Sequence, residues 1–123
     1  MGDSLGRHAL IIEDEMLIAL EVEALLEELG FTSFDIADSP SEALRCAEHR
    51  RPDLITADIR IIGGTGIEAV DAITAALGPI PVVYVTGNPD LVARRQTVTV
   101  VDKPIVPRVL AAACARACAI LAA

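Results

Sequence analysis

Residues 9–14 read Ala-Leu-Ile-Ile-Glu-Asp, a short apolar run that ends on two acidic residues. Three later runs have the same form, each apolar and each followed by a polar residue. They are Leu54–Ala57 before Asp58, Val82–Val85 before Thr86, and Val98–Val101 shortly before Lys103. Short apolar runs are typical of parallel strands that are covered by helices on both faces. The pattern therefore predicts a parallel sheet whose strand ends carry the polar residues.

Helical patterns separate these runs and one further strand, Ser33–Ala37. The predicted helices are Glu15–Leu29, one that begins with a capping box at Ser39 and Glu42, one that contains Val70, Ile73 and Leu77, a short one over Asp90–Gln96, and one from Pro107 onwards. Strand and helix thus alternate five times without a hairpin signal. Strands joined by right-handed helical crossovers favour one α/β domain over residues 1–123 with an open, doubly wound, five-stranded parallel sheet. A flavodoxin-like strand order of 2-1-3-4-5 fits five such units, and we expect that order.

Three carboxylates are expected to meet in this fold. Strands one and three are neighbours in the predicted order, so Glu13, Asp14 and Asp58 lie together at the carboxyl edge where such folds bind ligands. Clustered carboxylates raise one another's proton affinity unless a cation neutralises them, and hard oxygen ligands suit Mg²⁺. The sequence therefore predicts a Mg²⁺ site at this edge.

The neighbouring strand ends supply groups that suit a phosphoryl group. Lys103 offers a positive charge for a phosphoryl oxygen, Thr86 offers a hydroxyl donor, and Gly87 allows a backbone N–H to come close. Asp58 can attack phosphorus while the cations offset the charge repulsion. These residue types predict that Asp58 accepts a phosphoryl group.

Composition narrows the class of protein. The chain has 123 residues, 53% of them hydrophobic, and a net charge of -8, which favours a folded domain and argues against binding nucleic acid through its phosphates. The polar segment 1–7 does not resemble a signal peptide, so we expect a cytoplasmic location. Three cysteines, Cys46, Cys114 and Cys118, are an odd number without metal-type spacing, and we expect no disulfide.

The four site elements together resemble one family, the receiver domain of bacterial two-component response regulators, over essentially the whole chain. The family's pattern is an acidic pair after strand one, an aspartate after strand three, a threonine or serine after strand four, and Lys-Pro after strand five. It is met here by Glu13-Asp14, Asp58, Thr86 and Lys103-Pro104, and Gly66 stands where the family usually carries a glycine.

The resemblance implies phosphotransfer to Asp58 from the phosphohistidine of a histidine kinase or a phosphotransfer protein, and a downstream protein partner. It implies that Mg²⁺ is held by Asp14, Asp58 and the backbone carbonyl of Arg60, with Glu13 assisting. A receiver is not an enzyme for a separate substrate, but it promotes its own phosphorylation and dephosphorylation. The Lys103–Pro104 bond is expected to be cis.

Two departures from the family pattern stand out. Val100 occupies the position of the usual aromatic switch residue, while Tyr84-Val85-Thr86-Gly87 is similar to the Phe-Ala-Thr-Gly motif of a subgroup of single-domain alphaproteobacterial receivers. The resemblance implies that Thr86 and Tyr84 form the switch; the alternative for Tyr84 is an aromatic residue of the core without a switch role. The segment Ile61–Gly64 lacks the family's usual proline, and we expect a looser loop there.

The last predicted helix indicates a further partner surface. From Val109 to Ala123 the only charged residue is Arg116, so the face directed away from the sheet should also be apolar. Contiguous apolar surface usually marks an interface. The run is too short and too rich in alanine for a membrane span, so we expect homodimerisation or partner docking through this helix and its neighbours. The alternative is a monomer, because a helix rich in alanine is only mildly hydrophobic.

Other functions remain open at this point. The chain can be a receiver module cut from a hybrid kinase or a larger regulator, or a degenerate receiver that signals without phosphorylation. A Mg²⁺-dependent aspartyl-phosphate hydrolase, similar to the haloacid dehalogenase class, would need a second aspartate two residues after Asp14, where Met16 stands. A flavin binder would need a phosphate-cradling loop after strand one, where acidic residues stand instead.

Overall fold

The computed structural model describes residues 6–87 and 99–122, with side chains described as far as Ile120. The elements are β1 (Arg7–Ile12), α1 (Met16–Glu28), β2 (Phe31–Ala37), α2 (Pro40–His49), β3 (Leu54–Ala57), β4 (Arg60–Ile61), β5 (Gly64–Thr65), α3 (Gly66–Leu77), β6 (Val82–Thr86), β7 (Thr99–Asp102) and α4 (Pro107–Ala122). The predicted short helix over Asp90–Gln96 lies outside the described residues. The predicted last helix is α4.

The main sheet has five parallel strands in the order β2-β1-β3-β6-β7. Because β6 and β7 are the predicted fourth and fifth strands, the predicted order 2-1-3-4-5 is confirmed. Strand β1 pairs with β2 on one side and with β3 on the other. The residues that follow β1 and β3 are therefore neighbours at the topological switch point of the sheet, where the order of the strands reverses.

Helices cover both faces of the sheet, as the apolar strands predict. Successive side chains of a strand point to opposite faces. Leu10 and Ile12 accordingly pack with α2 and α3, while Ala9 and Ile11 pack with α1 and α4. The strands are thus buried on both sides, which explains why their sequences are continuously apolar.

Two strands begin earlier than predicted. β1 starts at Arg7 instead of Ala9, and β2 starts at Phe31 instead of Ser33. Arg7 pairs with Phe31 before an irregularity in the register at His8, and the Arg7 guanidinium lies 4.2 Å from the centre of the Phe31 ring. The hydrophobic pattern did not predict this pairing because Arg7, at the end of the strand, is charged.

The expectation of a loose loop and no hairpin is wrong for residues 60–65. Arg60–Ile61 and Gly64–Thr65 form a small antiparallel pair, closed by Ile62 and Gly63. Gly63 has φ 76°, a left-handed conformation that glycine adopts without steric penalty. Strands of two residues are too short to show an alternating pattern, which is why the sequence did not reveal them.

Side chains cap α2 and α3 in the part of the chain that the structure describes. Ser39 accepts the Glu42 N–H at 3.3 Å, as predicted, but the Glu42 carboxylate accepts the N–H of Asp38 instead of closing the box on Ser39. A reciprocal capping box occurs at α3. There the Thr65 hydroxyl accepts the Glu68 N–H at 3.1 Å and the Glu68 carboxylate accepts the Thr65 N–H at 2.8 Å. The α3 box fixes the chain directly after the hairpin.

The outer face of α4 is exposed and mildly apolar. Val109 and Ile120 are 44% and 41% exposed, and between them the exposed positions are mostly alanine. Homodimerisation through this face stays a prediction. Among the described residues, no helix combines the length and the apolar composition that crossing a bilayer requires.

Candidate functional site

The polar residues after the strands are placed by backbone hydrogen bonds that extend the sheet by one step. The Asp58 N–H donates to the Ile12 carbonyl at 2.9 Å, which continues the pairing of β3 with β1. The Lys103 N–H donates to the Thr86 carbonyl at 3.1 Å, which continues the pairing of β7 with β6. The predicted convergence at the carboxyl edge is therefore a result of the sheet register itself.

Lys103 links two of the carboxylates. Its Nζ lies 3.0 Å from Asp58 Oδ2 and 3.4 Å from Glu13 Oε1. Burial lowers the pKa of the Lys103 ammonium, but the hydrogen bond that it donates to Asp58 and the charges of Glu13 and Asp58 outweigh burial and raise that pKa above its ordinary value. The ammonium group is therefore permanently charged at neutral pH.

The Asp58 carboxylate is buried and is held at both oxygens. Oδ1 accepts the Ile59 N–H at 2.7 Å, and Oδ2 accepts the hydrogen bond from Lys103. A carboxylate can accept about four hydrogen bonds or metal contacts, so lone pairs remain for a metal ion or for attack on phosphorus. The two contacts fix the plane of the carboxylate before any ligand arrives.

Glu13 is buried beside this pair. Burial is the main cause that raises the pKa of its carboxyl from 4.5 to about 7, and the charge of Asp58 raises it further, while Lys103 and the Glu15 N–H lower it. The Glu15 N–H donates to Glu13 Oε2 at 3.2 Å. Near pH 7 the carboxyl is thus only partly ionised, which reduces the repulsion within the cluster until a cation is present.

The three predicted metal ligands form a compact oxygen cluster. One carboxylate oxygen from each of Glu13, Asp14 and Asp58 lies within 4.8 Å of the others. Glu13 and Asp58 are buried and Asp14 is exposed, so the cluster opens to solvent on the Asp14 side. A set of carboxylate oxygens with one open side fits Mg²⁺, which usually keeps several of its waters.

An open cavity of about 510 Å³ lies over this cluster. It is lined by Asp14, Glu15, Asp58, Arg60, Thr86, Gly87 and Lys103. The structure therefore brings together the predicted residues of the metal and phosphoryl sites. The role of the Arg60 carbonyl as a metal ligand stays a prediction. The role of the Gly87 amide as a donor to the phosphoryl group also stays a prediction. Apart from its chain neighbours, no heavy atom of a described residue lies within 4 Å of a Cβ added at Gly87.

Tyr84 lies in the core and does not line the cavity. It is 2% exposed and belongs to the cluster that α2 and α3 cover. Its partner in the register of β6 and β7 is Val100, which packs against the same cluster. Tyr84 is thus the neighbour, on the adjacent strand, of Val100, the position at which the family usually carries its aromatic switch residue. The switch role of Tyr84 and Thr86 stays a prediction.

Two contacts of the site were not predicted from the sequence, and both involve backbone amides. Ile59 donates to Asp58, and Glu15 donates to Glu13. A backbone N–H carries no residue-type signal, so only the turn geometry after each strand reveals it. The predicted cis bond between Lys103 and Pro104 is confirmed.

Comparison with known sequences agrees with this geometry. The family model described as "Response regulator receiver domain" matches residues 9–115. The phyllosphere-induced regulator PhyR of Methylorubrum extorquens is 38% identical over 92 residues, which cover 73% of this chain and 34% of PhyR. The chain thus spans about a third of the length of that relative.

Solved structures are similar over nearly the whole chain. The anti-anti-sigma factor PhyR from Bartonella quintana matches with a TM-score of 0.79 and 31% identity, covering 94% of this chain and 48% of that one. The receiver domain of sensor histidine kinase PA1611 from Pseudomonas aeruginosa PAO1, solved with magnesium coordinated in its active-site cleft, matches with a TM-score of 0.78 and 25% identity, covering 93% and 98%. The fold, the site and these matches agree with the resemblance seen in the sequence: the chain belongs to the response regulator receiver domain family.

Proposed function

We propose that Asp58 accepts a phosphoryl group from the phosphohistidine of a histidine kinase or a phosphotransfer protein, and that the phosphorylated domain passes the signal to a protein partner. The observation that carries this proposal is the contact between Lys103 Nζ and the Asp58 carboxylate at 3.0 Å, inside a cavity that two further carboxylates adjoin. Phosphoryl transfer to a carboxylate needs a nucleophile, a positive charge and a metal ion, and this site offers a carboxylate, an ammonium group and a cluster of oxygen ligands in one place.

In the proposed step, an Asp58 oxygen forms a bond to phosphorus while the P–N bond of phosphohistidine breaks. The electron pair of that bond leaves with the imidazole nitrogen, which takes up a proton, and Asp58 becomes an acyl phosphate. Lys103 is placed to hold an oxygen of the transferred group, because its ammonium already contacts the carboxylate that attacks. Thr86 and Gly87 line the same cavity and can donate hydrogen bonds to the other oxygens.

The acidic cluster would hold Mg²⁺. We propose Asp14, Asp58 and the Arg60 backbone carbonyl as ligands, with Glu13 assisting, since their carboxylate oxygens lie together and Arg60 lines the cavity. When bound, the ion supplies positive charge that offsets the repulsion between the carboxylates and the phosphoryl oxygens. Neutralisation of this kind also favours the ionised form of Glu13.

The domain is proposed to be a phosphoacceptor and not an enzyme with a separate substrate. Its product remains covalently attached to Asp58 until water hydrolyses the acyl phosphate in the same cavity. The alternative, an aspartyl-phosphate hydrolase, would use the acidic residue after the first strand as its nucleophile. Asp14 is exposed, whereas Asp58 is buried in contact with Lys103, and this difference favours Asp58 as the nucleophile.

The donor protein is proposed to dock on α1 beside the cavity. Met16, Leu17 and Leu20 are 58%, 84% and 48% exposed there, and they begin two residues after Asp14. A cavity of about 380 Å³ is lined by two other residues of α1, Ile18 and Glu21, together with Lys103, Pro104 and Ile105. Because a phosphohistidine must come within bonding distance of Asp58, the protein that carries it has to cover this apolar rim, and burying the rim stabilises the complex.

The output is proposed to be contact with a protein. PhyR from Bartonella quintana is described as an anti-anti-sigma factor, and by similarity we propose an anti-sigma protein as the partner of the phosphorylated domain in the cytoplasm. The domain would act either alone or as the receiver part of a longer regulator. A net charge of -8 disfavours direct contact with nucleic acid phosphates.

Phosphoramidate tests the proposed chemistry, because its P–N bond resembles that of phosphohistidine. Incubation with phosphoramidate and Mg²⁺ should add one base-labile phosphoryl group to the wild-type chain. The group should be lost in Asp58→Asn and retained in Asp71→Asn, a matched change at an exposed aspartate of α3. Equal labelling of wild type and Asp58→Asn would refute the assignment of Asp58.

A further inference from the structure

The hairpin β4–β5 returns the chain to the phosphoacceptor. Ile59, the residue after Asp58, has its two backbone groups engaged: its N–H donates to Asp58 Oδ1 at 2.7 Å and its carbonyl accepts the Gly66 N–H at 2.8 Å. Gly66 is the first residue of α3. The start of α3 is therefore connected to the Asp58 carboxylate through a single residue.

Gly66 approaches Asp58 so closely that no side chain fits. A Cβ on Gly66 would lie 1.9 Å from the Asp58 carbonyl oxygen and 2.9 Å from its carbonyl carbon. The φ of Gly66 is not in the left-handed region, so the backbone conformation itself is open to any residue. The glycine is required by the contact with the backbone of Asp58.

The chain on either side of this contact is anchored. Thr65 precedes Gly66 and forms the reciprocal capping box with Glu68, which fixes the direction in which α3 begins. The register of the hairpin pairs Thr65 with Arg60. The Ile62 N–H at the turn donates to the Asp38 carbonyl at 3.1 Å, which attaches the hairpin to the loop after β2.

We propose that the hairpin and the first turn of α3 form a positioning element for the phosphoacceptor, with Thr65 and Gly66 as its positioning residues. They hold Ile59 so that its amide orients the Asp58 carboxylate toward Lys103. This inference rests on the proposed phosphoacceptor role of Asp58. Small misplacements of a reacting group reduce rates by up to about 100-fold, so loosening this element slows phosphorylation even though neither residue touches the reacting atoms.

Thr65→Val tests the proposal, because it removes the capping hydroxyl with little change in shape. The matched control is Ser39→Ala, which removes the corresponding hydroxyl from α2, where Ser39 accepts the Glu42 N–H. Both variants should lose similar stability in urea. Only Thr65→Val should lower the rate of phosphorylation at saturating acetyl phosphate, by roughly tenfold, and Thr65→Ser should restore it.

A spectroscopic measurement separates positioning from general destabilisation. The ¹H–¹⁵N resonance of the Ile59 amide should shift in Thr65→Val and stay unchanged in Ser39→Ala, because only the first variant releases the Ile59 carbonyl from Gly66. Equal rates for the two variants together with an unchanged Ile59 resonance would overturn the proposal. If the wild-type chain takes up no phosphoryl group from acetyl phosphate or from a phosphorylated histidine kinase, the proposed function fails, and the Ile59 resonance still decides whether Thr65 controls the carboxylate contact.

Gly66→Ala is a second, more direct variant. The added methyl group has to displace the Asp58 carbonyl or the start of α3, so the folded protein should be phosphorylated more slowly than Thr65→Val. A folded Gly66→Ala variant with the wild-type rate would contradict the steric role of Gly66. Should this variant fail to fold, Thr65→Val and its control still decide.

Discussion

Glu13 should control how the stability of this domain depends on pH. The residue is 5% exposed, and burial, followed by the charge of Asp58, raises the pKa of its carboxyl from 4.5 to about 7. The change we consider is Glu13→Gln, which keeps the shape of the side chain and removes its ionisation. Measurements in the presence of a chelator isolate the protein from divalent cations.

The sign and size follow from the raised pKa. The folded state binds the Glu13 proton more tightly than the unfolded state, so the stabilisation is complete below pH 4.5 and is lost as the pH rises through about 7. The difference between the two pKa values, at about 1.4 kcal/mol for each pH unit, corresponds to roughly 3–4 kcal/mol, of which about 3 kcal/mol falls between pH 4.5 and 8 because the unfolded carboxyl is already half ionised at pH 4.5. Small domains are stable by only about 5–15 kcal/mol, so this loss is readily measured.

Urea denaturation at several pH values between pH 4.5 and 8 is the assay. The free energy of unfolding of the wild type should fall by about 3 kcal/mol more than that of Glu13→Gln over this range. Glu27→Gln, a matched change at an exposed glutamate of α1, should behave like the wild type. Parallel curves for the wild type and Glu13→Gln would show that burial does not hold the proton on Glu13, and would refute the reasoning.

Three further predictions concern the metal, the donor protein and self-association. Mg²⁺ at about 100 times its dissociation constant should raise the free energy of unfolding of the wild type at pH 7.5 by about 2.7 kcal/mol. The increase should be much smaller in Asp14→Asn. Calorimetric melts in which Mg²⁺ shifts both proteins equally would contradict the acidic cluster as the binding site. Leu17→Glu should slow phosphotransfer from a phosphorylated histidine kinase and leave the rate with acetyl phosphate unchanged, whereas equal slowing with both donors would exclude docking on α1. Sedimentation velocity at increasing concentration should detect dimers that Ala112→Glu on the outer face of α4 disrupts, and a strictly monomeric wild type would remove the dimer prediction.

The parts of the fold that depend on side-chain burial were predictable from the sequence. Strands such as Leu54–Ala57 are covered on both faces, so their composition alone identifies them. Right-handed crossovers indicated an open parallel sheet, and the order 2-1-3-4-5 was predicted because a flavodoxin-like sheet fits five alternating units. Because the strand ends share one edge, the convergence of Glu13, Asp58 and Lys103 could also be predicted before any distance was known.

The parts that depend on backbone pairing and on burial in three dimensions were not predictable. The hairpin of residues 60–65 contains strands of two residues, too short for any periodic signal. The Ile59 amide that holds Asp58 has no residue-type signature. The raised pKa of Glu13 follows from its desolvation, which becomes visible only when the residues around it are in place.

Site-resolved phosphorylation by acetyl phosphate tests the central claim most directly. The wild-type chain would be treated with and without Mg²⁺, reduced with borohydride to convert an aspartyl phosphate to homoserine, and analysed by peptide mass. We expect a Mg²⁺-dependent modification at Asp58 that disappears in Asp58→Asn. Modification at another residue, or none under any condition with a phosphorylated histidine kinase as an additional donor, would contradict the assignment of Asp58 as the phosphoacceptor.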